Sequence, residues 1–215
     1  ILIGLVGSEM CIRDRNIALP KDFDVPKSIL FKTTHTIAEV WLDGEKIYEY
    51  GNEADAPGFM KTPGSCWHIV DIPGDSSGKN LEVRIIPVYE GYYGNEVSLV
   101  YGTRGDCILK ILTDSLGIPV ISCGILFAAV ICILLYCGAA RRKRSDKTEA
   151  KIEIFLNLGF FSLLVAVWTL VQCGFLQFLI PDGRTLYFVE YFSLFLFPVP
   201  FNFCLLYTSD AADDK

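Results

Sequence analysis

Histidine is scarce, positive charge is in deficit, and charge of either sign is missing from two long stretches of this chain. The two histidines, His35 and His68, are not spaced as metal ligands. No H-E-x-x-H, C-x-x-C, G-x-S-x-G or P-loop spacing occurs, so the common signatures of metal-assisted, nucleophilic and phosphoryl-transfer chemistry are missing. No catalytic residue, metal or cofactor is expected. His68, Asp71 and Ser65 have no nucleophile-elbow context that would make them a triad. Lys and Arg number 19 against 25 Asp and Glu, a net charge of -6, and no basic face is visible. That balance argues against nucleic-acid binding. Segments 115–140 and 154–180 contain no charged residue at all. With 52% hydrophobic residues and a mean hydropathy of +0.39, the 215-residue chain is neither disordered nor a single water-soluble globule.

What is present divides at about residue 114. A bilayer core about 30 Å thick needs about 20 apolar residues in a helix rising 1.5 Å each. Segments 115–140 and 154–180 meet that requirement, and 186–203 reads as a third span interrupted by Glu190. The intervening segment 141–153 holds Arg141, Arg142, Lys143 and Arg144, with Lys147 and Lys151, whereas 181–185 holds only Arg184. By the positive-inside rule the basic segment is a cytoplasmic loop and a contact for anionic lipid head groups. The N-terminal half and the 181–185 loop then lie outside the cell. Glu190 is an intramembrane acid, either functional or a hydrated carboxylate reaching the interface. Pro198 and Pro200 are expected to kink their helix by removing backbone donors. Trp168 is expected to pack between helices. Asn157, Ser162, Thr169, Gln172 and Gln177 are candidates for interhelical hydrogen bonds, the alternatives being that Ser and Thr bond back to their own helix and that Gln177 lies at the outer interface.

Residues 16–114 show short β-rich runs broken by turn chemistry. In 34–42, Ala38, Val40 and Leu42 share one face, and Asp43-Gly44 follows as a hairpin signal. Residues 46–51, 66–72 and 81–89 read as further strands, the last with Leu81, Val83 and Ile85 on one side. Residues 96–102 and 107–112 read as two more. The tripeptide Arg104-Gly105-Asp106 between them reads as a turn. Many short strands with Gly/Pro turns imply an all-β sandwich or jelly roll, followed by an α-helical transmembrane region. Cys66 and Cys107 are the two cysteines of this half outside the end segments, where a disulfide is chemically possible.

The runs VWLDGEKIYEYG, GSCWHIVDIPGDSSGKNLEVRI and VYEGYYGNEVSLVYGTRGDCILKIL lead directly into the first span. Together with the Trp of VAVWTL and the Pro of FLFPVPF, they resemble the bacterial multi-span membrane receptors that carry an extracytoplasmic jelly-roll sensor. The resemblance implies a galactose-binding-like head, a seven-span bundle, and an intracellular diguanylate cyclase (GGDEF) or histidine kinase, none of whose motifs are in this sequence. It also implies a plasma-membrane, multi-pass location and homodimerisation. The ends ILIGLVGSEMCIRDR (1–15) and CLLYTSDAADDK (204–215) resemble translated sequencing-adaptor read-through. The chain opens on Ile rather than Met, so the expected interpretable part is 16–203, the sensory and membrane portion of a longer receptor.

Candidate recognition residues are aromatic. Trp41 alternates away from Ala38, Val40 and Leu42, and the Tyr89–Glu96 loop presents Tyr89, Tyr92 and Tyr93 beside Asn95. Such side chains can stack on sugar rings while polar neighbours bond hydroxyls, so an extracellular small molecule or glycan is the expected ligand. The same aromatics, with Tyr48, Tyr50 and Trp67, could instead fill the faces of a small sandwich. The alternatives to a receptor are a membrane-tethered carbohydrate-binding module, or part of a transporter or membrane enzyme.

Overall fold

The computed structural model describes residues 13–19, 27–52, 58–89, 97–141 and 146–213. The chain divides into two compact units, Ile1–Asp114 with Gln177–Arg184, and Ser115–Leu176 with Thr185–Lys215.

The first unit is built on seven strands: β1 (Arg13–Ala18), β2 (Lys27–Thr34), β3 (Thr36–Leu42), β4 (Glu45–Tyr50), β5 (Ser65–Ile72), β6 (Asn80–Pro87) and β7 (Val100–Gly102). They form two antiparallel sheets, ordered β1-β6-β3-β4 and β5-β2-β7. Period-2 alternation decides which side chains the sheets share. Ala38, Val40 and Leu42 from β3 and Leu81, Val83 and Ile85 from β6 are buried with Ile29, Phe31, Val70 and Ile72 of the other sheet in one core. The hairpin signal holds: Asp43 (φ 48) and Gly44 (φ 85) are both left-handed, as a two-residue turn matched to strand twist requires. β1 begins at Arg13, inside the segment whose sequence looks foreign.

Three expectations for this unit are corrected. Of the expected strand 96–102, residue 96 lies outside the described residues and the rest is a strand over Val100–Gly102 alone. Residues 107–112 are not a strand but the middle of α1 (Arg104–Ser115). Arg104-Gly105-Asp106, expected as a turn, is the first turn of that helix. Thr103 precedes it, accepting from the Asp106 N–H (3.2 Å), while Asp106 Oδ2 accepts from the Thr103 N–H (3.1 Å). This reciprocal cap satisfies two donors that a helix start leaves orphaned. The apolar run then follows a period of 3.6 rather than 2. Cys107 and Ile111, four residues apart, share one face and pack on Leu30, Trp67 and Ile69. α1 therefore covers the outer face of the three-stranded sheet.

The second unit is helical: α2 (Gly117–Ala140), α3 (Asp146–Val171), α4 (Gly183–Leu196) and α5 (Pro198–Asp213). Gly117–Ala140, Ile152–Val171 and Gly183–Leu206 are each long and apolar enough to cross a membrane. Small residues set the α2–α3 approach. A Cβ on Gly159 would lie 2.8 Å from Ile133 Cγ1 and 3.3 Å from the Ala129 carbonyl oxygen. That is how helices pack where the solvent is as apolar as the side chains.

Two boundaries differ from expectation. The basic segment 141–153 is not loop throughout, because α3 already begins at Asp146. The expected span 154–180 ends as an α-helix at Val171; Gly174–Phe178 is a 3-10 turn, entered through Cys173 N–H to Leu170 C=O (3.0 Å). Its polar Gln177 and the weak helix former Gly174 outweigh the apolar composition. The third span is broken at Phe197, as the two prolines lead one to expect. Pro198 opens α5, where its missing N–H costs nothing. Trp168 meets Phe197 edge to face at 5.8 Å, and Phe161 lies against Phe197 and Phe201.

Candidate functional site

Trp41 does face outward from the four-stranded sheet, but its ring is not bare. Lys46 Nζ lies 5.6 Å and Arg84 Cζ 5.2 Å from its centroid, and its indole N–H donates to Glu39 (3.0 Å). Lys46 also reaches Glu49 (2.6 Å) and Glu39 (3.5 Å), and Arg84 reaches Glu82 (2.8 Å). The hydrogen bond to Glu49 is the main reason the Lys46 ammonium titrates above its ordinary range. A sugar ring stacking on Trp41 would have to displace these cations. Tyr89 is exposed and leans edge-on against His35, at 6.2 Å. Tyr92, Tyr93 and Asn95 lie outside the described residues, as do Arg142, Lys143 and Arg144. Arg141 is exposed just after α2, and Glu190 is half-buried in α4.

Among the described residues, a further polar constellation of the first unit lies inside the sheets. On β5, alternation turns Cys66, His68, Val70 and Ile72 inward. His68 is fully buried. Its Nε2 meets Thr33 Oγ1 (2.7 Å) and its Nδ1 meets Tyr48 Oη (2.9 Å), while the rings of Phe31 and Tyr50 lie 4.9 and 5.0 Å away. Burial without a carboxylate partner pushes the imidazole down to about 3 and the Tyr48 phenol up to about 12. His68 is thus neutral, one ring nitrogen donating and the other accepting. This is a satisfied interior network rather than an acid–base pair poised near neutrality.

Tyr50 extends the network to the surface. Its hydroxyl donates to the Pro63 carbonyl (3.1 Å) and accepts from the Gly183 N–H (3.1 Å), so the Cys66 thiol, 2.9 Å away, must be the donor to it. Burial raises both the Tyr50 phenol and the Cys66 thiol. Cys66 and Cys107 are both free thiols. Cys107 packs under α1 with its Sγ toward the Ser28 carbonyl.

Residues 177–184 belong to this same unit. β5 is an edge strand, and Trp67 faces Lys32 in the β2–β5 register. The backbone groups of Trp67 point away from β2, where Gln177 takes both: its Oε1 accepts from the Trp67 N–H (2.8 Å), and its Nε2 donates to the Trp67 carbonyl (2.7 Å). A side-chain amide here stands in for a neighbouring strand. Arg184 donates to the Asn52 carbonyl (2.8 Å). At Gly183, a Cβ would fall 2.0 Å from Cys66 Sγ and 2.5 Å from Tyr50 Oη, so no other residue fits.

The sequence places Gln177 at the outer interface end of an apolar stretch, but nothing in it points to Trp67, Tyr50 or Gly183 as partners. Gly174, Pro181 and Gly183 around it were the available sign that the helix stops early. His68 was accessible from β5 alternation; Thr33 and Tyr48 were not, because they arrive from other strands.

In the second unit, a groove of about 260 Å³ is lined by Asn157, Phe160, Leu163, Leu196, Val199 and Pro200. Asn157 bonds back to the Glu153 carbonyl (3.0 Å), and Ser122, Thr169 and Ser193 likewise bond to carbonyls four residues earlier. Of the expected interhelical polar residues, Asn157 and Thr169 are thus satisfied within α3. Among the described residues no three of His, Cys, Asp and Glu converge on a metal position.

Compared with protein-family models, curated proteins and solved structures, the chain matches none.

Proposed function

We propose that this chain is the sensory and membrane portion of a bacterial signal-transduction receptor, with the β unit as an extracytoplasmic jelly-roll-like head at the plasma membrane. In this reading the chain itself is not an enzyme. A cytoplasmic diguanylate cyclase or histidine kinase, acting as a dimer, is the output. A small molecule or glycan binds the head near Tyr89, Tyr92, Tyr93 and Asn95, and Arg141–Arg144 meet anionic lipid on the cytoplasmic side.

The observation that carries this reading is the link between strand and span. α1 starts two residues after β7, is capped by Thr103 and Asp106, and is anchored on the three-stranded sheet by Cys107 and Ile111. One residue, Leu116, separates it from α2. A flexible tether would dissipate any bias set in the head. A packed helix lets a ligand that prefers one head conformation shift the population of helix arrangements by its differential affinity. The short distance from folded head to span has no purpose in a module that is merely displayed.

Topology is the first test. A reporter active only in the cytoplasm, fused after Arg144, should be active, and protease added to intact cells should cleave the head. A reporter at Arg144 that is active only outside the cell would end the reading. Ligand screening by thermal shift on the chain in lipid nanodiscs should then identify a glycan or small molecule whose stabilisation is lost in a Tyr92→Ala/Tyr93→Ala variant.

A further inference from the structure

We infer that residues 177–184, which join α3 to α4, are a reversible latch that ties the state of β5 to the N-terminal half of α4. The inference deepens the receptor reading and rests on it for its purpose, since it supplies a second route from head to helices besides α1.

Three polar contacts define the latch. Gln177 completes the free edge of β5 with a matched donor and acceptor on Trp67. Gly183 gives its N–H to Tyr50, and Arg184 gives a guanidinium N–H to the Asn52 carbonyl. The apolar residues between them do not help: Phe178 and Leu179 are turned outward, at 49% and 72% exposure. Phe178 and Leu179 therefore do not anchor the segment in the head. The segment is held by a few neutral or singly charged hydrogen bonds, each of which exchanges for water at small net cost. Such a contact opens without unfolding what it rests on.

The contact is also discriminating. Gln177 can pair with Trp67 only while β5 holds its present register, and Gly183 fits only while Cys66 and Tyr50 hold their present rotamers. Tyr50 and Cys66 in turn adjoin the buried His68 network. A change in how β5 packs thus reaches Gly183, the first residue of α4, without passing through α1.

Hydrogen exchange of the full chain in nanodiscs tests this, with no ligand and no output module. In a Gln177→Ala variant, amides of β5 and of residues 183–190 should both exchange roughly three- to tenfold faster, with α2 unchanged as the folding control. Gln177→Glu keeps the acceptor for the Trp67 N–H but loses the donor, and should fall between the two. Gly183→Val should reproduce the Gln177→Ala pattern by steric exclusion. If β5 alone accelerates in Gln177→Ala, the segment is a local edge cap and the latch is refuted. Unchanged rates at both places refute it as well. Neither result touches the receptor reading, which stands or falls on topology and ligand binding.

Discussion

His68 is the residue whose chemistry is most constrained by its surroundings. Its imidazole is neutral because burial denies the cation water and supplies no anion, and Thr33 and Tyr48 occupy both ring nitrogens. A base with a depressed folded-state pKa destabilises the fold only when the unfolded chain can take a proton that the folded chain refuses. That window opens as pH falls through 6.5, the ordinary value, and closes near 3. Across it the head should lose stability steadily as pH falls, by roughly 1 kcal/mol per pH unit for one proton refused. His35, lowered by partial burial, adds to the loss in the same direction. Urea unfolding followed by tryptophan fluorescence between pH 7 and 4 measures this slope. His68→Phe should flatten most of it while lowering stability at pH 7, since Thr33 and Tyr48 lose their shared partner. An equally steep slope in that variant would place the titration elsewhere. At the same scale, His35 shows how one residue turns the chain between sheets. It sits at φ 56, held by its N–H to Gly64 C=O (2.9 Å) and its Nδ1 against Thr62 Oγ1 (2.8 Å).

Among the elements, α1 marks where the sequence could and could not be read. Strands β3, β5 and β6 announce themselves because each buries one face, so alternation alone recovers Ala38–Val40–Leu42 and Leu81–Val83–Ile85. In residues 107–112 a period of 2 and a period of 3.6 both find apolar positions, and six residues are too few to separate them. The deciding information is the Thr103–Asp106 cap, whose hydrogen bonds also hold the Asp106 carboxyl below its ordinary range. Thr103→Ala should cost about 0.5–2 kcal/mol. Ile111→Ala, which empties the contact with Leu30, should cost about 2–5 kcal/mol. Both can be read as shifts in the denaturant midpoint of the head. Were residues 107–112 extended, Thr103→Ala would be neutral. The spans were legible by length and absence of charge. Their ends were not, because Gln177 leaves its apolar neighbourhood for an edge strand 110 residues away in sequence. The recognition candidates fared unevenly for a similar reason: outward alternation places Trp41 correctly on the solvent face but says nothing of the Lys46 and Arg84 that cover it.

For the molecule as a whole, chain order and compactness do not coincide. Residues 177–184, encoded after two helices long and apolar enough to cross a membrane, belong to the β unit. A head produced on its own and ending at Asp114 would therefore be missing a piece of itself, the amide that shields Trp67. Bare edge strands find one another. Such a protein is expected to self-associate, with sedimentation velocity showing a concentration-dependent dimer, and Trp67→Pro, which deletes the exposed donor, should return it to monomer. Stoichiometries measured on the isolated unit would then count partners created by the scissors rather than by the full chain.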